Sequence, residues 1–163
     1  VKVLHHLHPP AEWVVAVAGT RWYKSMGGFF EGYGSRIDGV IHLSPREAAE
    51  LCRNGAILLD VRLELLFRNK RFDVPEMLHC VYDEMADYYP HLPANRPIIV
   101  ADAVGIHSKE VVRFLLGKGY ADVANLVGGI CDWERDGLPL VIDPDETLTG
   151  GCMCQLRTWG KVK

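Results

Sequence analysis

The sequence predicts an α/β domain: a mainly parallel sheet with helices on both of its faces. Two patterns and one bulk property predict it. Short apolar runs of strand length alternate with one-faced helical stretches over about a hundred residues, which implies right-handed crossovers. Gly55, Gly119 and Gly137 each stand just past a helical stretch, where a chain must turn. Of the 163 residues, 48% are hydrophobic and 24% are charged, the balance of a packed domain rather than a disordered chain.

The elements follow in order. Pro9 and Pro10 precede a stretch, Ala11 to Met26, that reads as a helix stopped by Gly27 and Gly28, and Phe29 to Gly34 reads as an aromatic loop. Ser44-Pro45-Arg46-Glu47 is a capping box with proline at the first helical position, so a helix runs to about Arg53. Ala56 to Asp60 is apolar enough for a strand buried on both faces. Leu63 to Arg68 is a short helix, Leu78 to Val81 a strand and Asp83 to Tyr88 another short helix. Pro97 to Ala101 is the strongest strand. The helix after it, Ser108 to Lys118, gathers Val111, Val112, Leu115 and Leu116 on one face. Val123 to Leu126 is a strand, Gly128-Gly129 a tight turn, and Ile130 to Asp136 the last helix. The chain thus divides into an N-terminal extension, 1–42, an α/β domain, 43–142, and a C-terminal tail, 143–163.

Bulk properties exclude several function classes. Eighteen basic and twenty-one acidic residues leave a net charge of −3, which argues against nucleic acid as a partner. The longest unbroken apolar run in the first forty residues, Trp13 to Ala18, is far short of the about twenty residues that cross a bilayer, so no membrane partner is expected. Five scattered cysteines imply no disulfide framework and suit a reducing, cytoplasmic setting. The chain opens on Val1 rather than Met, which fits removal of an upstream piece.

Chemistry in an open α/β sheet belongs beyond the carboxyl ends of the strands. The loop after the strongest strand is Asp102-Ala103-Val104-Gly105-Ile106-His107, and it runs into a helix start. Such a loop collects backbone N–H groups around one point and cradles an anion. Together with Leu59-Asp60-Val61-Arg62, Gly119-Tyr120 and the run Leu126-Val127-Gly128-Gly129 to Trp133 and Gly137-Leu138-Pro139, it resembles a rhodanese-homology domain between about Leu43 and Ile142. The resemblance implies a five-stranded sheet. It also implies a loop whose first residue is a cysteine that becomes a persulfide, with a basic residue late in the loop to bind the sulfur donor.

Here the first loop residue is Asp102 and the late basic residue is His107. A carboxylate cannot carry a persulfide. Asp102 as a phosphoryl-accepting nucleophile would want Mg²⁺ and further carboxylates, and none stands beside it in sequence. Asp102 is therefore expected to sit in the cradle as a built-in anion. His107 is expected to cap a loop carbonyl, Asp60 and Arg62 to pair and tie down a strand end, and Gly105 to permit a positive φ. Cys52, Cys80 and Cys131 are expected to be packing residues.

From this the leading expectation is a non-catalytic binding or regulatory module with a protein partner and no cofactor. Trp13, Trp22, Tyr23, Phe29 and Phe30 would supply its apolar contact area. A second reading, of another class, is a sulfurtransferase or sulfur relay that uses Cys152 and Cys154. A third is a small metal-binding protein in which those two thiols act with His5, His6 and His8.

Overall fold

The structure, a computed structural model, describes residues 28–143. The expected helix over 11–26, the aromatic residues Trp13, Trp22 and Tyr23, and Cys152 and Cys154 lie outside the described residues.

The first element is a hairpin of β1 (Ser35–Ile37) and β2 (Val40–Leu43). Its turn is Asp38-Gly39, with φ of 50° and 79°, the left-handed pair that a two-residue hairpin needs. The sequence reading left this stretch in the extension 1–42, and the sheet corrects it. β2 lies beside β7 (Val123–Leu126), so the domain starts ahead of residue 43. An aspartate–glycine pair between short runs is a hairpin signal, and here it went unread.

Helix α1 (Pro45–Arg53) begins at the capping box as expected. Ser44 Oγ accepts from the Glu47 N–H at 3.4 Å, and Glu47 Oε2 accepts from the Ser44 N–H at 2.9 Å. The same carboxylate accepts from the Gly34 N–H at 2.8 Å, which joins the helix start to the segment before the hairpin. The Ser44 hydroxyl, above all, holds the Glu47 carboxyl below its ordinary range.

The remaining elements alternate as read except for two strands, β4 and β8, that the sequence reading did not contain. They are β3 (Ile57–Asp60), α2 (Glu64–Asn69), β4 (Lys70–Phe72), β5 (Met77–His79), α3 (Met85–Tyr88), β6 (Ile98–Ala101), α4 (His107–Gly117), β7, α5 (Gly129–Arg135) and β8 (Leu140–Ile142). The expected helix over 83–88 is broken up: a 3-10 turn, Tyr82–Glu84, leads into α3, and a second, Tyr89–His91, follows it. Pro90 in that second turn cannot donate to a continuing helix.

The main sheet has the order β1-β2-β7-β6-β3-β5. From β2 to β5 every pairing is parallel, so the five-stranded parallel sheet is present, with β1 added antiparallel at one edge. β4 and β8 form a separate antiparallel pair that brings the end of the described chain back to α2. Strands β3 and β6 are buried on both faces. Leu58 and Ile99 pack with Leu51, Ile130 and Trp133 on the side of α1 and α5, whereas Leu59, Ile98 and Val100 pack with Val111, Val112 and Leu115 of α4. That two-sided burial is why these strands read as continuous apolar runs.

Trp133 is fully buried, meets Phe72 edge-on at 5.1 Å and donates its indole N–H to Pro139 O at 2.9 Å. It therefore fastens the β4–β8 pair to the main body. Trp133→Ala should lower the unfolding free energy by about 3–5 kcal/mol, read as a fall in the urea midpoint. Ser44→Ala should cost about 1 kcal/mol at neutral pH. Because Glu47 titrates lower in the folded chain, its share is present above the ordinary glutamate range and is lost as pH falls through its folded value. The gap between Ser44→Ala and the parent should thus narrow in acid, read by thermal melts across pH.

Candidate functional site

The parallel strands end together, and the chain leaves β6 at Ala101 into the loop that precedes α4. Gly105 turns this loop with φ +88°, and a Cβ there would stand 2.9 Å from Gly128 N and 3.2 Å from Leu126 O. Only glycine lets the two loops touch in this way. The loop closes around its own first side chain. Asp102 Oδ1 accepts from the N–H groups of Val104, at 3.0 Å, and of Gly105. Its Oδ2 accepts from Ile106 at 3.1 Å, His107 at 2.8 Å and Ser108 at 3.4 Å. The carboxylate is 3% exposed and sits at the positive end of α4. Five donors aimed at one point make an anion cradle, and the chain's own carboxylate fills it.

Helix α5 grips the loop from the other side. Ile130 N–H donates to Asp102 O at 2.9 Å and Cys131 N–H to Ala103 O at 3.2 Å. Gly129, with φ +53°, makes that approach possible, because a Cβ would run into Asp102 O and Ala103.

Asp60 and Arg62 form the expected pair at the end of β3, beside the loop. Arg62 Nη2 lies 2.6 Å from Asp60 Oδ2, Nε bonds both carboxylate oxygens, and the Arg62 N–H donates to Oδ1. Nη2 also donates to Lys70 O at 2.7 Å, which ties β3 to β4. Both residues are buried, and removing one partner of such a pair typically costs about 3–5 kcal/mol.

On the opposite flank lies a polar chain that the sequence reading missed. Ser108 Oγ donates to Asn125 Oδ1 at 2.7 Å, and the Asn125 amide meets His42 Nδ1 at 3.2 Å. Burial first, then the charges of Lys109 and Arg113, lower the His42 pKa, while Asp38 opposes them. An asparagine in an otherwise apolar buried strand was the available signal, because such a group must find partners. His107 departs from expectation: instead of capping a loop carbonyl, its ring lies against Tyr82 at 4.8 Å. Tyr82 in turn donates to Glu110 at 2.6 Å. The rim is apolar, with Val104, Ile106 and Val127 all exposed.

None of the described cysteines belongs to the 102–107 loop, and Cys131 meets it through its backbone N–H. Cys52 is buried in α1, and burial pushes its thiol up to about 12. Burial pushes Cys80 up to about 11, and its thiol faces Val81 O at 3.4 Å. Cys131 is half-buried, with its thiol raised by burial and then by Glu134 and Asp132. Among the described residues no group of three or more His, Cys, Asp or Glu could hold a metal ion. Nor is any helix among them long and apolar enough to cross a membrane.

The donors of this loop belong to the backbone and should outlast a change of side chain. In Asp102→Cys the new thiol should titrate below the free value of about 8.5, because the helix end and the N–H groups favour a thiolate. Titration by thiolate absorbance checks this. A value at or above the free one would mean that the cradle depends on the carboxylate itself.

Comparison with known proteins bears on the whole domain. The chain is 31% identical over 102 residues to the thiosulfate sulfurtransferase GlpE of Haemophilus influenzae, covering 60% of this chain and 91% of that protein. To the GlpE of Pseudomonas savastanoi it is 29% identical over 108 residues, covering 66% and 94%. A rhodanese-related protein of Thermoplasma volcanium superposes with a TM-score of 0.57 at 22% identity, over 63% of this chain and 98% of that one. A rhodanese-like domain protein of Staphylococcus aureus gives 0.54 at 22% identity, over 63% and 97%. These relatives correct the leading expectation. A non-catalytic module, an inactive homologue, is overturned by similarity to enzymes over nine-tenths of their length, and the sulfurtransferase reading takes its place. The rhodanese-like domain family model matches residues 44–136, and the chain belongs to that family.

Proposed function

We propose that this chain is a cysteine-dependent sulfurtransferase that takes sulfane sulfur from a thiosulfate-like donor and passes it to a thiol or cyanide acceptor. The observation that carries the reading is the 31% identity to a thiosulfate sulfurtransferase along 91% of that enzyme. A thiolate attacks the outer sulfur of thiosulfate, the sulfur–sulfur bond breaks, and sulfite leaves with the electron pair. The resulting persulfide gives its terminal sulfur to the acceptor, and the thiolate returns.

The carrier thiol in this reading is Cys152 or Cys154. No residue from 102 to 107 is a cysteine, and Asp102 stands where the family resemblance puts the loop thiol. Cys52 and Cys80, at about 12 and about 11, are poor sources of thiolate, and the Cys131 thiol is raised as well. Cys152 and Cys154 follow Gly150-Gly151 and share their segment with Arg157, Lys161 and Lys163, whose charge favours a thiolate. A reducing compartment such as the cytoplasm would keep both thiols free, and a thiol-bearing protein is the natural acceptor.

Thiocyanate formation from thiosulfate and cyanide tests this. The chain should turn over, the double variant Cys152→Ser/Cys154→Ser should lose about 100-fold or more, and Cys131→Ser should retain activity. Full turnover in the double variant would remove these thiols as the carrier. Absence of both turnover and a thiosulfate-derived persulfide in the parent would overturn the activity.

A further inference from the structure

A line of hydrogen bonds leads from β2 to the cradle, and it starts on a side chain that titrates near neutrality. His42, half-buried on β2, is level with Asn125 in the adjoining β7, and its Nδ1 lies 3.2 Å from the Asn125 amide nitrogen. Asn125 Oδ1 accepts from the Ser108 hydroxyl at 2.7 Å. Ser108 N–H in turn donates to Asp102 Oδ2 at 3.4 Å, the longest of the five bonds in the cradle. Asn125 and Ser108 are buried, so neither has bulk water as a substitute partner.

Each bond in this line fixes the direction of the next. An amide nitrogen only donates, so His42 Nδ1 must accept, and the single proton of the neutral ring stands on Nε2. An amide oxygen only accepts, so the Ser108 hydroxyl must donate. A second proton on His42 goes to Nδ1 and sets donor against donor. Half a turn of the Asn125 amide relieves the clash, offering Oδ1 to the ring and the amide nitrogen to Ser108. Ser108 Oγ then accepts, and its own proton loses the acceptor it had. In a buried place that loss falls on the start of α4, and with it on the cradle bond that Ser108 makes.

The charged groups that face the ring are Lys109 and Arg113 of α4, which oppose a second proton, and Asp38 of the β1–β2 turn, which favours it and lies 3.6 Å from Arg113. β7 presents the uncharged Asn125, and β1 the uncharged Ser35, each level with His42. Arg36, next along β1, donates to Gly39 O at 3.4 Å. Burial weighs against the charged ring more than any of these. We propose that His42 is a proton-operated switch for the cradle: the neutral ring keeps the Asn125–Ser108 line intact and the loop held, and the charged ring reverses the line and loosens the loop at Ser108. The device stands on these bonds and does not require the sulfurtransferase reading. Because the folded chain disfavours the charged ring, the hold is present above the ordinary histidine range and is lost as pH falls through the lower, folded value of His42.

Solution NMR on the full-length chain tests the switch, in a His107→Gln background so that the loop's own histidine does not report. Between about pH 8 and 5, the Asn125 side-chain amide signals should move with the His42 midpoint, which should lie below the ordinary value of about 6.5. Over the same range, hydrogen exchange at the 106–108 amides, corrected for its intrinsic pH dependence, should speed up by about fivefold or more. Both responses should vanish in His42→Gln. Ser108→Ala removes the hydroxyl and should leave His42 titrating while the loop no longer answers. The double variant Lys109→Gln/Arg113→Gln removes two charges and leaves the line intact, so the His42 midpoint and the loop response should rise in pH together. Asn125 signals that ignore the His42 titration overturn the switch. So does a loop response that survives His42→Gln or Ser108→Ala, or one that fails to follow the midpoint in the double variant.

Discussion

The convergence of five backbone N–H groups on the carboxylate of Asp102 is the interaction on which the carboxyl end of this sheet depends. It supplies acceptors for donors that a tight loop and a helix start would otherwise leave bare. An anion in that position also answers the positive end of α4. Without it, the loop of 102–106 would need water or a solute ion to satisfy the same groups. The loop thus has one of its own side chains as ligand.

The surroundings are built to keep that loop where it is. Gly105 and Gly129 allow backbone to touch backbone, so α5 and the β7–α5 turn press on the loop directly. The Asp60–Arg62 pair anchors one flank to β4, and the Ser108–Asn125–His42 chain anchors the other to β2. Buried polar groups of this kind are costly unless every partner is present. Among the described residues no buried side-chain nitrogen or oxygen lacks a hydrogen bond, so the flanks are satisfied as well as packed.

A filled cradle bears on where a reactive thiol would stand, since no cysteine lies within residues 102–107. The presence of Asp102 suggests inactivity only if the sulfur-bearing thiol must lie within the loop. Similarity to thiosulfate sulfurtransferases over nearly their whole length carries more weight than one loop position, because it reports the whole frame. Of the described thiols, Cys52 and Cys80 are buried, Cys131 is half-buried, and all three are raised.

Much of the fold was determined by local rules that a sequence carries openly. The capping box at Ser44 needs only residues three apart, the apolar runs at 57–60 and 98–101 report two-sided burial, and glycines mark the ends of α1, α4 and α5. The aspartate at the head of the loop was legible too, together with the anion cradle that it would enter. Other features join residues far apart in the chain, and no short window can hold them. Ser108, Asn125 and His42 meet across separations of 17 and 83 residues, and Lys70 of β4 pairs with Ile142 of β8 from the far end of the domain. Which ring His107 rests on, and which end of the sheet the tail leaves from, were likewise decided by packing. Pairing at long range is set by the sum of all contacts in the folded chain, whereas caps and turns are set by the few residues that make them.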